Sequence, residues 1–346
     1  MDGFSFFEAE RRLMPEMDML LKKRFRILQA VFLTGPIGRR TLADQLQLTE
    51  REIRNETTTL NEQQLIAIQQ KGMVCTQQGY EVLEQLKALI HELSGLAHKE
   101  QQLAARFSIE KVIIVPGDVA QDATILSQLG KEASTVLANS AIENSKVAVT
   151  GGSSVAALTS FLSPVKPLNS VQFIAARGGI GDEMSLQANT LVAQFAEQCD
   201  STYRSLFLPE YLSEQAYQAM KEEPIVKDMM ALYDTVNIVI HGIGAAKEMA
   251  NRRNSSAQDR QLLAEKGAVG EAFGYYFDEQ GEIVHHIHTI GIQLTQVRKS
   301  DKVIAIAAGV EKANAIQAYF KNAAPQTILI TDERAANEIL TSYSAL

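Results

Sequence analysis

The sequence is poor in the features that mark secreted, membrane-spanning and disulfide-rich proteins. It has no tryptophan and two cysteines in 346 residues, Cys75 and Cys199, which are too far apart to suggest a disulfide framework. It lacks a run of about 18 apolar residues, as a membrane-spanning helix would need. Its N-terminus has neither the basic nor the apolar segment of a secretory signal. We therefore predict a cytoplasmic protein with no membrane partner.

The chain also lacks an excess of positive charge, since its formal net charge is −8. That value argues against a general nucleic-acid binder. The charge is uneven, however, because residues 1–106 hold 14 basic and 14 acidic residues and the remainder carries the whole deficit. The segment from Lys22 to Arg54 contains eight basic residues and only three acidic ones. Such a local excess is typical of a phosphate-facing patch, although a solvated helix face would look similar.

The N-terminal pattern indicates a helix-turn-helix. Apolar residues recur at helical spacing over 20–32, and Gly and Pro end that helix at 34–38. Thr41 is the expected cap of a short second helix. Thr49, with Glu52 three residues on, forms a capping box that starts a third helix through Leu60. Helix, short helix, tight turn and helix in this order predict DNA binding, while a three-helix protein-contact module is the alternative.

The third helix would enter the major groove with its N-terminal residues near base edges. Arg can pair with guanine and Asn with adenine, whereas other basic residues would contact phosphates without reading sequence. The expected base-reading residues are Arg51, Arg54, Asn55 and Thr58. The expected phosphate contacts are Arg39, Arg40 and the Lys22–Arg26 cluster. A hairpin over 65–75 would be the wing of a winged helix, with Lys71 at its tip.

We predict three segments: a winged helix-turn-helix domain at 1–80, a linker helix at 81–107, and an effector-binding and oligomerisation domain at 108–346. The linker follows from near-heptad apolar spacing over 79–106. That helix could pair with a second copy in a dimer or tetramer, or pack on its own wing.

The C-terminal segment is predicted to be a Rossmann-like α/β domain with a parallel sheet. Continuously apolar strands alternate with helical segments, which is the pattern of a sheet covered on both faces. The predicted strands are 111–116, 146–149, 171–175, 235–240, 302–307 and 327–331. Glycine-rich turns follow several of them, and two carry cations, Arg177 and Lys312. Because ligands bind beyond the carboxyl ends of such strands, these turns predict a phosphate-ester site.

The motifs VAVTGGSSVAAL, AARGGIG, VIHGIGAA, KGAVGEAFGYYFD and VIAIAAGVEKANAI together resemble the SorC-type sugar-binding transcriptional regulators. The resemblance covers nearly the whole chain and is greatest to the branch that controls central glycolytic genes in Gram-positive bacteria. It implies an effector domain like that of sugar-phosphate isomerases. It further implies a repressor of a glycolytic operon that is released by a phosphorylated sugar, fructose-1,6-bisphosphate, and that uses no cofactor.

The same motifs imply a set of effector contacts. They are Thr150, Gly151, Gly152, Ser153, Arg177, Gln187, Arg252, Glu271 and Lys312. The first four would cradle one phosphate, and Arg177 and Gln187 would lie around the sugar and the second phosphate. Arg252 and Lys312 would contact phosphate, while Glu271 would accept hydrogen bonds from sugar hydroxyls. Val310 departs from the glycine of many relatives, which puts the geometry of that loop in doubt.

The rival interpretation is a sugar-phosphate isomerase or deaminase on the same fold. The chain has no Asp-Gly-Ala-Asp-Glu segment, and its Gly242-Ile243-Gly244 turn continues as Ala-Ala-Lys with no acid or imidazole. General acid–base catalysis needs such a group, so we expect no enzyme and no catalytic residues. A second alternative is a vestigial pocket in a domain that only oligomerises. The histidines of 285–288 are expected to lie in a half-exposed strand or loop and to hold no metal.

Overall fold

The computed structural model describes residues 13–179, 183–208 and 213–342. The chain forms two compact units, one of residues 1–99 with 116–128 and the other of residues 100–115 with 129–346. The segment expected as a linker, 81–107, is thus divided between the two units. No helix in the described part of the chain combines the length and the apolar character needed to cross a bilayer.

The N-terminal unit is a set of helices with one small hairpin. Its elements are α1 (Pro15–Thr34), α2 (Arg39–Leu46), α3 (Glu50–Glu62), β1 (Ile66–Gln69), β2 (Gly72–Cys75) and α4 (Gln77–Leu93). The hairpin is antiparallel, with Gln69 paired to Gly72 across its tip. The helix-turn-helix and the wing are therefore present in the predicted order.

Two helix starts in this unit differ from the sequence-based expectation. Helix α1 begins at Pro15 rather than at residue 20, because Pro is tolerated at the first helical position. Helix α2 begins at Arg39, capped by Gly38, so Thr41 lies inside the helix and the capping role given to it is wrong. The capping box of Thr49 is confirmed: Glu52 N–H donates to Thr49 Oγ1 and Thr49 N–H donates to Glu52 Oε2.

The core of the N-terminal unit includes the helix that follows the wing. Ile27, Leu42 and Ile53 are fully buried in it, and Leu83 and Ile90 of α4 pack into the same cluster. The apolar stripe of α4 is therefore used within its own unit. The single linker helix expected over 79–106 is wrong, because α4 ends at Leu93 and α5 (Leu96–Phe107) begins after Gly95, whose φ of +66° breaks the helix.

The second unit is built on a seven-stranded parallel sheet in the order β3-β13-β12-β7-β4-β5-β6. The strands are β3 (Lys111–Val115), β4 (Lys146–Val149), β5 (Gln172–Ala175), β6 (Thr202–Arg204), β7 (Ile238–Gly242), β12 (Lys302–Ile306) and β13 (Thr327–Asp332). Every pairing between neighbours in this sheet is parallel. The predicted α/β architecture is confirmed, and the short exposed strand β6 is an addition to it.

Helices accompany these strands along the chain. They are α6 (Thr124–Ser140), α7 (Ser153–Ala156), α8 (Ala188–Cys199), α9 (Glu214–Glu222), α10 (Pro224–Tyr233), α11 (Ala246–Arg252), α12 (Ala257–Glu265), α13 (Leu294–Lys299), α14 (Ala313–Phe320) and α15 (Glu333–Thr341). After β4 the chain forms only the single turn α7, followed by a 3-10 turn at Thr159–Phe161.

A second, antiparallel sheet of four strands was not predicted. It runs β11-β10-β9-β8 and consists of β8 (Gly244–Ala245), β9 (Ala268–Ala272), β10 (Tyr275–Asp278) and β11 (Ile283–His286). Its strands are short, and β8 and β9 consist largely of glycine and alanine, which weakens the alternating pattern that identifies a strand. The histidine segment ends β11: His286 stacks on Tyr275 at 3.9 Å, and His288 Nδ1 lies 3.0 Å from Glu214.

Candidate functional site

Helix α3 carries the predicted base-reading residues on its solvent-exposed face. Ile53, Thr57 and Leu60 point inward and are buried. Arg51, Arg54, Asn55 and Thr58 are exposed. Helical periodicity explains this split, since residues three and four apart share a face. The four side chains are thus placed together on one exposed surface, as a recognition helix requires.

The basic cluster of α1 is matched by carboxylates of its own unit. Lys23 Nζ and Arg24 Nε lie 3.1 and 2.8 Å from the carboxylate of Glu56 on α3. Burial would raise the pKa of Glu56, but hydrogen bonds from Arg24 and Lys23 hold it below its usual range. Arg26 pairs in the same way with Asp122, at 3.0 Å. These pairs fix α1 against its neighbours, so the cluster offers less charge to phosphate than its sequence suggested.

The other predicted phosphate contacts lie on separate elements of the unit. Arg39 and Arg40 are in the first turn of α2 rather than before it, and Arg40 Nε is 4.0 Å from Glu50 at an exposed site. Lys71 is exposed at the tip of the hairpin. An exposed ion pair of this kind contributes little to stability, so Arg40 can exchange its partner at little cost.

In the second unit, a cavity lies at the carboxyl ends of four neighbouring strands, β12, β7, β4 and β5. Parallel strands present all their following loops at one edge of the sheet, which is why segments distant in sequence meet there. Eight of the nine predicted effector residues line the cavity: Gly151, Gly152, Ser153, Arg177, Gln187, Arg252, Glu271 and Lys312. Thr150 is buried beside it, and its Oγ1 accepts a hydrogen bond from Gly242 N–H at 3.4 Å. Residues 180 and 181 of the arginine loop lie outside the described residues.

The loop after β4 offers hydrogen-bond donors to the cavity. Gly152 has φ +117°, a conformation that side chains disfavour, and its N–H is used by the carbonyl of Leu186. The next N–H groups, of Ser153, Ser154 and Val155, begin α7 and have no acceptor among the described residues. Three unused donors and two hydroxyls at a helix start form a surface that suits an oxyanion.

One buried carboxylate holds two arginines at the floor of the cavity. Glu271 is 2% exposed, and its Oε1 accepts hydrogen bonds from Arg253 Nη2 at 2.9 Å and from Gly274 N–H at 2.6 Å. Arg177 Nη1 lies 3.5 Å from the same oxygen. Burial would raise the pKa of Glu271, but Arg253, Arg177 and the Gly274 N–H together lower it below its usual range. Glu271 is therefore an ionised anchor for arginines, and its contact with sugar hydroxyls stays a prediction.

The other two cations of the cavity are not neutralised in this way. Arg252, at the end of α11, and Lys312, at the start of α14, have no ion pair among the described residues. Lys312 follows Gly309, whose φ of +100° and bond from its N–H to the buried Asp332 shape the turn. The loop accommodates Val310, which is partly exposed. Neither of these two positive charges is therefore met by an ion pair within the described residues.

Sequence reasoning missed the residues behind the cavity wall. Arg253 follows Arg252 directly, but its side chain is buried and donates through Nη1 to the hydroxyl of Tyr276 at 3.0 Å. His241 is 1% exposed and lies between the Gly242 carbonyl, at 3.0 Å from Nδ1, and the Tyr319 hydroxyl, at 3.1 Å from Nε2. Burial lowers the pKa of His241 to about 4, so the ring is neutral. An adjacent pair of arginines gives no local signal of which one is buried.

Comparison with known proteins finds a matching family for the N-terminal part of the chain and another for the rest. A family of DNA-binding domains described as "CggR N-terminal DNA binding domain" matches residues 20–90, and a family described as "Putative sugar-binding domain" matches residues 91–341. The chain is similar to the "Central glycolytic genes regulator" of Priestia megaterium, with 42% identity over 98% of this chain and 99% of that protein. Similarity to the protein of the same name in Bacillus subtilis is 40%, over 96% and 98%.

Solved structures agree with this placement. A "putative SorC family transcriptional regulator" from Enterococcus faecalis aligns with a TM-score of 0.66 and 39% identity, over 70% of this chain and 99% of that one. The full-length sorbitol operon regulator SorC from Klebsiella pneumoniae has a TM-score of 0.64 and 18% identity, over 92% of this chain and 98% of that one. At that identity the second likeness supports the fold alone.

Proposed function

Since the chain belongs to the SorC family of sugar-binding transcriptional regulators, we propose that it represses a glycolytic operon and that fructose-1,6-bisphosphate relieves the repression. The protein is a transcription regulator rather than an enzyme, and the names of its curated relatives point to glycolytic genes.

The observation that carries the proposal is the convergence of cations on the glycine loop. Arg177, Arg252 and Lys312 come from three separate segments and line one cavity with the free donors at the start of α7. A single phosphate needs fewer donors than this set provides, because a guanidinium alone can bind it through two hydrogen bonds. A ligand with two phosphates uses the whole set, which supports a sugar bisphosphate over a monophosphate.

The proposed mechanism couples this cavity to DNA. The effector can weaken DNA binding only if it binds more tightly to a state of the protein that has lower affinity for the operator. The exposed face of α3 supplies operator contacts in the high-affinity state, and a dimer or tetramer would present two or more such faces. By linkage, operator DNA must lower the affinity for the effector by the same factor.

The test is a gel-shift titration on the fragment upstream of the glycolytic operon. Fructose-1,6-bisphosphate should release the DNA at a lower concentration than fructose 6-phosphate, glucose 6-phosphate or inorganic phosphate. Arg252→Ala should bind DNA normally but require about tenfold more effector or more, the loss expected for one hydrogen bond to a charged group. Arg177→Ala should behave similarly.

The matched control is Arg260→Ala, which removes an exposed arginine outside the cavity. Its release curve should coincide with that of the wild type. If Arg177→Ala and Arg252→Ala also release DNA at the wild-type concentration, the cavity is not the effector site. If none of the sugar phosphates releases DNA, the effector assignment is wrong.

A further inference from the structure

The cavity contains a carboxylate that the expected phosphate contacts do not explain. Glu248 lies on α11, one turn before Arg252, and lines the same cavity. It is solvent-exposed, and within the described residues it has neither an ion pair nor a hydrogen bond. An unpaired carboxylate repels phosphate, so an anion site is a costly place for it unless the ligand also brings donors.

Glu248 differs in this respect from Glu271, the other acidic residue of the cavity. Glu271 shares one oxygen between the Arg253 guanidinium and the Gly274 N–H, with Arg177 nearby, so its charge is met by the protein. Glu248 has its acceptor capacity available for a ligand. Sugar hydroxyls are donors that a carboxylate binds well, whereas phosphate oxygens at neutral pH are acceptors.

We propose that Glu248 is a specificity-determining residue that selects hydroxyl-bearing phosphates and disfavours phosphates without hydroxyls. The inference rests on the proposed effector site and names the chemical class that the site accepts. A polyol phosphate gains a charge-assisted hydrogen bond at Glu248 that offsets the repulsion of its phosphate. A ligand without hydroxyls meets only the repulsion, which screening at this exposed position reduces but does not remove.

The test compares two ligands that differ in their hydroxyls. Fructose-1,6-bisphosphate and hexane-1,6-diyl bisphosphate both place phosphates at the ends of a six-carbon unit, and the second has no hydroxyl. Their affinities are measured by isothermal titration calorimetry on the full chain, for the wild type, Glu248→Ala and Glu248→Gln. The control variant is Glu265→Gln, an exposed glutamate on α12 that does not line the cavity.

The wild type should prefer the sugar bisphosphate, and Glu248→Ala should reduce that preference about tenfold, the size of one hydrogen bond to a charged group. The hydroxyl-free ligand should bind more tightly to both Glu248 variants, because both remove the charge. Glu248→Gln should keep part of the preference, since its amide oxygen still accepts a hydrogen bond. Glu265→Gln should match the wild type.

Two results separate this inference from the proposed function. If the ratio of the two affinities is the same in the wild type and both Glu248 variants, the role of Glu248 is wrong, while fructose-1,6-bisphosphate can still be the effector. If the wild type binds neither ligand, the proposed effector is wrong and the inference that rests on it is overturned as well.

Discussion

The two units use arginine in opposite ways. On α3 of the N-terminal unit, Arg51 and Arg54 are exposed and have no ion pair among the described residues. At the cavity of the second unit, the side chains of Arg177 and Arg253 are buried and held by Glu271. On a surface that binds a large polyanion such as DNA, the basic side chains can stay solvated until the polyanion binds. A closed site must hold them in place beforehand, and a buried cation needs a carboxylate partner.

The largest expected effect comes from removing the anchor of the buried arginines. Glu271→Gln leaves two guanidiniums in a buried site without their counter-charge, and breaking such a pair costs about 3–5 kcal/mol. We expect a fall of that size in the free energy of unfolding of the second unit, measured by urea denaturation, and a loss of effector binding. Glu265→Gln changes an exposed side chain of α12 and should stay within about 0.5 kcal/mol of the wild type. Equal stability of the two variants would show that the buried pair contributes little.

The next effect concerns pH and the buried His241. Its folded pKa of about 4 lies below the ordinary value, so the unfolded chain binds the extra proton first. Stability should therefore fall as pH drops from about 6.5 to 4, at about 1.4 kcal/mol per pH unit for one proton. The lowered pKa of Glu271 acts in the same direction at still lower pH.

His241→Gln should flatten this pH dependence between 6.5 and 4. The measurement is the free energy of unfolding at several pH values for the wild type and the variant. Parallel curves over that range would mean that another group binds the proton.

On the N-terminal side, Arg54→Ala should weaken operator binding with little effect on folding, because the side chain is exposed. A base-edge contact is worth about 1–3 kcal/mol, so we expect about a tenfold loss or more on the operator and a smaller loss on unrelated DNA. Lys87→Ala, which removes an exposed charge from α4, is the control for net charge. If Arg54→Ala lowers the affinity for the operator and for unrelated DNA equally, Arg54 contacts a phosphate rather than a base.

The smallest expected effect is at the start of α3. Thr49→Ala removes the side-chain oxygen that accepts from Glu52 N–H, which should lower the stability of the N-terminal unit by about 1 kcal/mol. Thr49→Ser keeps the hydroxyl and should restore most of it. A thermal melt of the three proteins measures the difference. If the Thr49→Ser and Thr49→Ala variants have the same melting temperature, the capping box does not stabilise the start of α3.

Much of the fold could be predicted from local signals. The apolar strands of the parallel sheet, the helix-turn-helix and the Thr49 cap depend on spacing within a few residues. The antiparallel sheet of β8–β11 was not predicted, because β8 and β9 consist largely of glycine and alanine and lack alternation. Strand β8 also pairs with β9 across the intervening helices α11 and α12, a contact that is not local. The helix break at Gly95 was missed because the apolar spacing continues on both sides of it.

The sequence by itself indicated which segments line the cavity: the glycine loops, Arg177 and Lys312 follow strands of the parallel sheet, and the sheet brings such loops to one edge. Tertiary structure alone decided what each charge does there. Glu271 and Glu248 are both glutamates near glycines, yet one is buried among donors and the other faces the cavity unpaired. The physical reason is that a charge's role depends on its partners and its burial, and residues distant in sequence supply both.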